Sequence, residues 1–138
     1  MTRLRIFAAL ACSALALPAV ADTRLAIGFF PDLDVNPISR SRFEVIEANT
    51  AGPRDFWCAA ANYVIDDLRI DTGRIYIDTA RGPAQTAPGR KGVVFTTQAP
   101  SDPKTSYSIS VRQKDVGFSL GHAHRLCPTV RDIFDEQF

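Results

Sequence analysis

PRDFWCAAANYVIDDL, residues 53–68, is the stretch around which the rest of this chain is organised. Apolar side chains recur in it at the spacing of one helical face: Trp57, Ala61, Val64, Ile65 and Leu68. Pro53 suits the first position of a helix, where its missing N–H costs nothing, and Gly73 follows as a terminator. The stretch therefore predicts an amphipathic helix.

Strand-like segments lie on both sides of this helix. Their apolar patterning predicts strands over residues 23–30, 43–48, 74–78, 92–97, 106–112 and 116–120. The proline-bearing stretches 31–39 and 80–92 are predicted as loops, and 123–127 and 129–138 as short helical segments. The predicted fold class is α+β, with one central helix packed on an antiparallel sheet of about four to six strands and a short C-terminal helix.

Residues 1–21 have the three parts of a secretory signal peptide. Arg3 and Arg5 form a basic region, residues 6–20 are almost wholly apolar, and Ala19-Val20-Ala21 is a small-residue cleavage site. The apolar run is shorter than the ~20 residues that a membrane-spanning helix needs. We expect cleavage after Ala21, which leaves a periplasmic or secreted domain of residues 22–138 without a membrane span.

The charge of the mature chain excludes a nucleic-acid partner. Two of the 16 Lys and Arg residues lie in the signal peptide, so 14 remain against 15 Asp and Glu, a net charge of −1 with neutral His. The sequence has no basic stripe with interleaved aromatics and no run of like charges. We expect a monomeric single domain without a cofactor, whose partner is an unidentified protein or small ligand.

Cysteine use agrees with export. Ala9-Leu10-Ala11, before Cys12, place Ala where a lipid-attachment signal usually carries a branched apolar residue, and the apolar core is too short, so we expect Cys12 to leave with the signal peptide. Cys58, in the central helix, and Cys127 then remain as the two cysteines of the mature chain. An oxidising compartment would let them pair. We predict a structural Cys58–Cys127 disulfide rather than a reactive thiol at Cys58.

Gly117-Phe118-Ser119-Leu120-Gly121 matches the G-x-S-x-G pattern of serine hydrolases. It makes Ser119 a candidate nucleophile, with His122 and His124 as candidate bases. In that family of folds an acid and then a histidine follow the nucleophile at a distance, and no histidine follows His124. The predicted reading is a glycine-flanked strand that turns into the C-terminal segment, with no catalytic residue.

His122 and His124 are also candidate metal ligands. On an extended backbone, residues i and i+2 point to the same side, but on a helix they diverge by about 200°. A catalytic zinc needs a third protein ligand, and nothing in the spacing selects one. We therefore expect no bound metal.

Two clusters of charged residues offer weaker candidates for ion binding. Asp66, Asp67, Asp71 and Asp78 surround the end of the central helix, without the spacing of a calcium loop. We expect Arg69 and Arg74 to neutralise them. Arg81, Arg90 and Lys91 lie on the glycine-rich loop, which is not a Walker sequence, and we expect them to be solvated.

Three features carry a resemblance to known proteins: Trp57-Cys58 on a helix, R-I-Y at 74–76 and Cys127-Pro128. With them the chain resembles a group of small exported alphaproteobacterial proteins of unknown function. The resemblance implies a secreted, disulfide-linked domain and no particular activity. We expect a non-catalytic periplasmic binding or accessory module. The alternative is a small hydrolase or metal-dependent enzyme that uses Ser119, His122 and His124.

Overall fold

The computed structural model describes residues 32–129 and residue 132. They form seven elements: β1 Val35–Pro37, β2 Arg42–Ile46, α1 Pro53–Asp66, β3 Arg74–Pro83, β4 Lys91–Thr96, β5 Gly117–Ser119 and α2 Leu120–His124. The predicted signal peptide, the predicted strand over 23–30 and nearly all of the predicted helical segment 129–138 lie outside the described residues. Among the residues described, no helix is long and apolar enough to cross a membrane.

The five strands form one antiparallel sheet in the order β1-β2-β4-β3-β5. Helix α1 packs on one face of the sheet and buries its apolar side chains against those of the strands. The centre of this core holds the largest buried residues: Phe43, Phe56, Trp57, Ile75, Ile77 and Phe95. The predicted α+β fold, with one main helix on an antiparallel sheet and a short C-terminal helix, is confirmed.

Helix α1 begins and ends close to its predicted limits. Pro53 occupies the first turn, and the carboxylate of Asp55 accepts the N–H of Gly52 at 2.7 Å, which caps the helix start. The predicted terminator, Gly73, lies beyond the actual end. The helix ends at Asp66, the chain turns at Arg69, whose φ of 57° is left-handed, and the N–H of Ile70 bonds back to Val64 O at 3.0 Å.

The turn of the β3–β4 hairpin binds the side chain of Glu44, which is buried. The Glu44 carboxylate accepts the N–H of Gln85 at 2.8 Å and both the N–H and the hydroxyl of Thr86, at 2.7 and 2.6 Å. A Cβ at Gly92 would lie 3.1 Å from Glu44 Oε1, so glycine leaves room for this side chain. The predicted loop 80–92 is therefore too long, because β3 continues to Pro83 and the turn is anchored.

Two further predictions of secondary structure are wrong. Strand β1 lies inside the stretch 31–39 that was predicted as a loop. Residues 106–112, predicted as a strand, contain bends and form no strand of the sheet among the described residues. The N–H of Arg81, in β3, bonds to Val111 O at 2.9 Å. Tyr107 in this segment is fully exposed, whereas Val111 is buried.

Serine side chains bind backbone N–H groups within segment 106–112, which forms no strand of the sheet among the described residues. Ser106 Oγ accepts the N–H of residue 108 at 3.0 Å, Ser108 Oγ that of residue 110 at 3.2 Å, and Ser110 Oγ that of residue 112 at 3.3 Å. These N–H groups are the donors that a neighbouring strand would need. On the other side, the carbonyl of Ile109 accepts the indole N–H of Trp57 at 2.9 Å.

The Cys58–Cys127 disulfide is confirmed. The two Cα atoms lie 4.7 Å apart and are separated by 69 positions in the chain. The bond joins α1 to the segment that follows α2. Arg54 supports the same junction, since its Nε donates to the carbonyl of Leu126 at 2.6 Å.

Acidification should test an ion pair between β3 and the end of β2. Arg81 donates from Nε and Nη2 to the two carboxylate oxygens of Glu47, at 2.7 and 2.5 Å. These bonds lower the pKa of Glu47 below its ordinary value of 4.5, against the opposing effect of burial. Since the folded-state pKa is depressed, the pair stabilises the fold above pH 4.5 and loses its effect as the pH falls through the folded-state value.

Glu47→Gln should therefore be less stable than the wild type by about 1 kcal/mol at pH 7, the scale expected for a partly exposed pair. The difference should be smaller at about pH 3 than at pH 7, because the stabilisation from a depressed pKa begins to be lost once the pH falls below 4.5. Urea unfolding at the two pH values measures it, and the difference for Arg81→Gln should decrease in the same way. A stability gap that is equal at both pH values would contradict this assignment.

Candidate functional site

The G-x-S-x-G match is explained by local packing. A Cβ at Gly117 would lie 2.3 Å from Cδ1 of Tyr76, so only glycine fits between β5 and β3. Ser119 is the N-cap of α2, and its hydroxyl accepts the N–H of His122 at 3.2 Å. Nothing lies within 4 Å of a Cβ at Gly121. The motif thus supplies a close strand contact and a helix cap.

The two histidines lie on α2 and diverge around its axis. The His122 ring packs edge-on against Phe118, with the centroids 4.7 Å apart, and His124 is exposed. Within residues 32–129, no hydrogen bond joins the Ser119 hydroxyl to either imidazole. No group of three His, Cys, Asp or Glu side chains in the described part of the chain is placed to hold a metal ion. The absence of a bound metal stays a prediction.

One of the two arginines expected to neutralise the aspartate cluster contacts another group, and one of the aspartates pairs elsewhere. Asp78 pairs with Arg42 at 2.7 Å, across the sheet. Arg74 donates to the carbonyl of Gly117 at 2.8 Å. The expectation that Arg69 and Arg74 neutralise the cluster is therefore wrong for Asp78 and for Arg74.

The basic residues of the predicted glycine-rich loop are only partly solvated. Arg81 binds the carboxylate of Glu47, and Arg90 donates to the backbone carbonyl of the same residue at 2.8 Å. The expectation of a wholly solvated basic loop is wrong for these two arginines. Their donors hold the hairpin against the end of β2.

A groove of about 520 Å³ lies between the C-terminal half of α1 and the chain leading into β1. Its volume is more than twice that of the 200 Å³ cavity beside the first turn of α1. The lining combines apolar residues, one amide and one phenol with four aspartates: Leu33, Val35, Ala59, Asn62, Tyr63, Asp32, Asp34, Asp66 and Asp67. A concave site with a few convergent polar groups is the usual form of a binding site.

The groove is strongly acidic. The ion pairs of the described residues use other carboxylates, those of Glu47, Asp78 and Asp132. The four aspartates of the groove thus have no cationic partner among the described residues. Their fields add in the concave space between helix and strand, which favours a positively charged occupant.

Tyr63 places a hydroxyl beside these carboxylates. Its ring packs on Phe43, with the centroids 4.6 Å apart, which fixes it between α1 and β2. Partial burial raises the pKa of Tyr63, and the negative charge of Asp67 raises it further. The phenol therefore keeps its proton at neutral pH and can donate a hydrogen bond into the groove.

The edge of the sheet also faces this region. The N–H of Ile46 bonds to Asp34 O at 2.8 Å, and the N–H of Ile38 to Arg42 O at 2.9 Å. Backbone direction alternates along an antiparallel strand, so the N–H and C=O of Val35 point away from β2. No described residue pairs with this outer edge of β1.

Sequence reasoning identified half of the acidic groove. Asp66 and Asp67 were singled out, but the Asp-Leu-Asp sequence at 32–34 was assigned to a loop. The available signal was this second acidic pair, which flanks a leucine that is buried in the structure. Bringing the two pairs together depends on β1, a strand of 3 residues that ends at Pro37 and was therefore predicted as a loop.

No family model, curated protein or solved structure matches this chain. A functional assignment therefore depends on the geometry of the described residues.

Proposed function

We propose that this protein is a non-catalytic binding module of the periplasm or the extracellular space, and that its acidic groove holds a positively charged ligand. The observation that carries the proposal is the set of four groove aspartates without an ion pair among the described residues. Like charges held close together destabilise a fold, and a bound cation relieves that repulsion. The ligand would thus be recognised by its charge.

Export is supported by independent features of the chain. The sequence of residues 1–21 has the pattern of a signal peptide, and disulfides persist mainly in oxidising compartments. The resemblance to small exported alphaproteobacterial proteins supports the same location. The enzyme alternative has less support, because Ser119 caps α2 through its own hydroxyl and the two imidazoles diverge.

Calorimetric titration with spermidine, a flexible trivalent amine, tests the proposed charge recognition. Spermidine should bind, whereas an uncharged ethylene glycol oligomer of similar length should not. Asp66→Asn/Asp67→Asn should weaken binding roughly ten-fold, because about 1 kcal/mol or less is lost per carboxylate. Binding should also weaken with added salt.

The matched control is Asp71→Asn/Asp102→Asn, which removes the same charge from exposed positions outside the groove. It should retain most of the affinity. The proposal fails if spermidine does not bind, or if the two double variants lose affinity equally.

A further inference from the structure

We infer that the groove binds an extended, basic segment of another protein, which adds as a strand to the outer edge of β1. This inference rests on the proposed binding function and names the class of ligand. Peptide recognition by strand addition uses an exposed sheet edge for affinity and pockets for alternate side chains for specificity. In this protein a sheet edge and a groove that can hold side chains lie beside each other.

The backbone of β1 provides the edge. The N–H and C=O of Val35 point outward, away from β2. Pro37 has no N–H to offer, so pairing on the outer edge ends before the β1–β2 turn. The available edge is therefore short and lies where the groove runs.

Helix α1 provides the wall above that edge. Ala59 and Tyr63 line the groove from the helix, opposite Leu33 and Val35. In an added strand, every second side chain would point towards this wall, at intervals of about 6–7 Å. The small Ala59 leaves room for such a side chain, and the Tyr63 hydroxyl can bond to it.

The charge of the groove selects the composition of the segment. Asp66 and Asp67 lie on the helix side, and Asp32 and Asp34 lie on the strand side. Lys or Arg residues in the added strand would meet carboxylates on either side. An isolated amine could neutralise these carboxylates but would leave the N–H and C=O of Val35 bonded only to water. A peptide could bind both the carboxylates and these backbone groups.

The test uses three synthetic peptides of identical charge, titrated calorimetrically into the mature protein. The parent is acetyl-KTKVKTK-amide, and the two others carry backbone N-methyl groups on either its odd or its even positions. Only alternate N–H groups of an added strand face the edge. One methylated peptide should therefore lose at least ten-fold in affinity, while the other should bind like the parent.

The Val35→Pro variant, which removes the edge N–H, should also lose at least ten-fold in affinity for the parent peptide, with its fold checked by near-ultraviolet circular dichroism. If the proline variant does not fold, the methylated pair still decides the question. Equal binding by all three peptides would overturn strand addition, although spermidine binding would leave the proposed charge recognition standing. Failure of both spermidine and the parent peptide to bind would remove the proposed function itself.

Hydrogen exchange in the peptide-free protein distinguishes the other possible occupants. The Val35 amide should exchange rapidly alone and slowly with the parent peptide bound. Protection of Val35 without peptide would mean that the edge is already paired, either with another part of this chain or with a second copy. That result would overturn the inference.

Discussion

Replacement of Trp57 by Ala is expected to lower the free energy of unfolding by about 3–5 kcal/mol, the range for truncating a large buried aromatic residue. Trp57 is 0% exposed. Its ring contacts Phe95 and Phe118, with centroid distances of 5.1 and 4.5 Å. Its indole N–H donates to the carbonyl of Ile109 at 2.9 Å. The substitution therefore removes one contact from β4, one from β5 and one from the loop between them.

Urea unfolding followed by far-ultraviolet circular dichroism measures the effect. Fluorescence is unsuitable, because the chain has 1 tryptophan. The stability of Trp57→Phe should lie between those of the wild type and Trp57→Ala. This variant keeps an aromatic ring but leaves the Ile109 carbonyl without its donor, which should cost about 1–3 kcal/mol. Ile70→Ala, at a position 37% exposed, is the control and should change stability by about 0.5 kcal/mol or less. A Trp57→Ala protein within about 1 kcal/mol of the wild type would contradict the assigned role.

Removal of the disulfide is the second change with a large expected effect. Cys58 and Cys127 close a loop of 69 positions, for which the chain-entropy model gives roughly 4 kcal/mol. Cys58→Ala/Cys127→Ala should lose about this much, a large share of the 5–15 kcal/mol typical of whole domains. The reason is the greater freedom of the unfolded chain.

Reductant supplies the matched control. Dithiothreitol should shift the urea midpoint of the wild type to that of the double variant and leave the double variant unchanged. Alkylation and mass analysis report the thiol state in each sample. An unchanged midpoint in wild-type protein whose two thiols are shown to be free would contradict the prediction.

The elements that sequence analysis located are those whose periodicity reflects burial on one side. Helix α1 and strands β2, β4 and β5 were predicted near their observed positions, because each buries a regular set of apolar residues. Segment 106–112 has the same alternation, but it contains bends and forms no strand of the sheet in the described part of the chain. Whether such a segment pairs depends on its N–H groups, and apolar periodicity carries no information about them.

The candidate groove could be anticipated only in part, for a different reason. Asp66 and Asp67 break the rule that disfavours negative charge at a helix end, so they stood out in the sequence. Asp66 and Asp67 lie near Asp32 and Asp34 because β1 brings that part of the chain beside helix α1, which is a tertiary contact. Two prolines near so short a strand favour a loop assignment in any local reading.

The serine-capped segment 106–112 also affects how this protein behaves when it is concentrated. Tyr107, Ile109 and Val111 give it the alternating β-forming residues common in segments that stack into amyloid fibrils. Fibril growth requires N–H groups that can bond to an incoming chain. Here serine hydroxyls hold those groups on alternate residues. We therefore expect the serines to disfavour such stacking, in a segment that lies outside the sheet of the described residues.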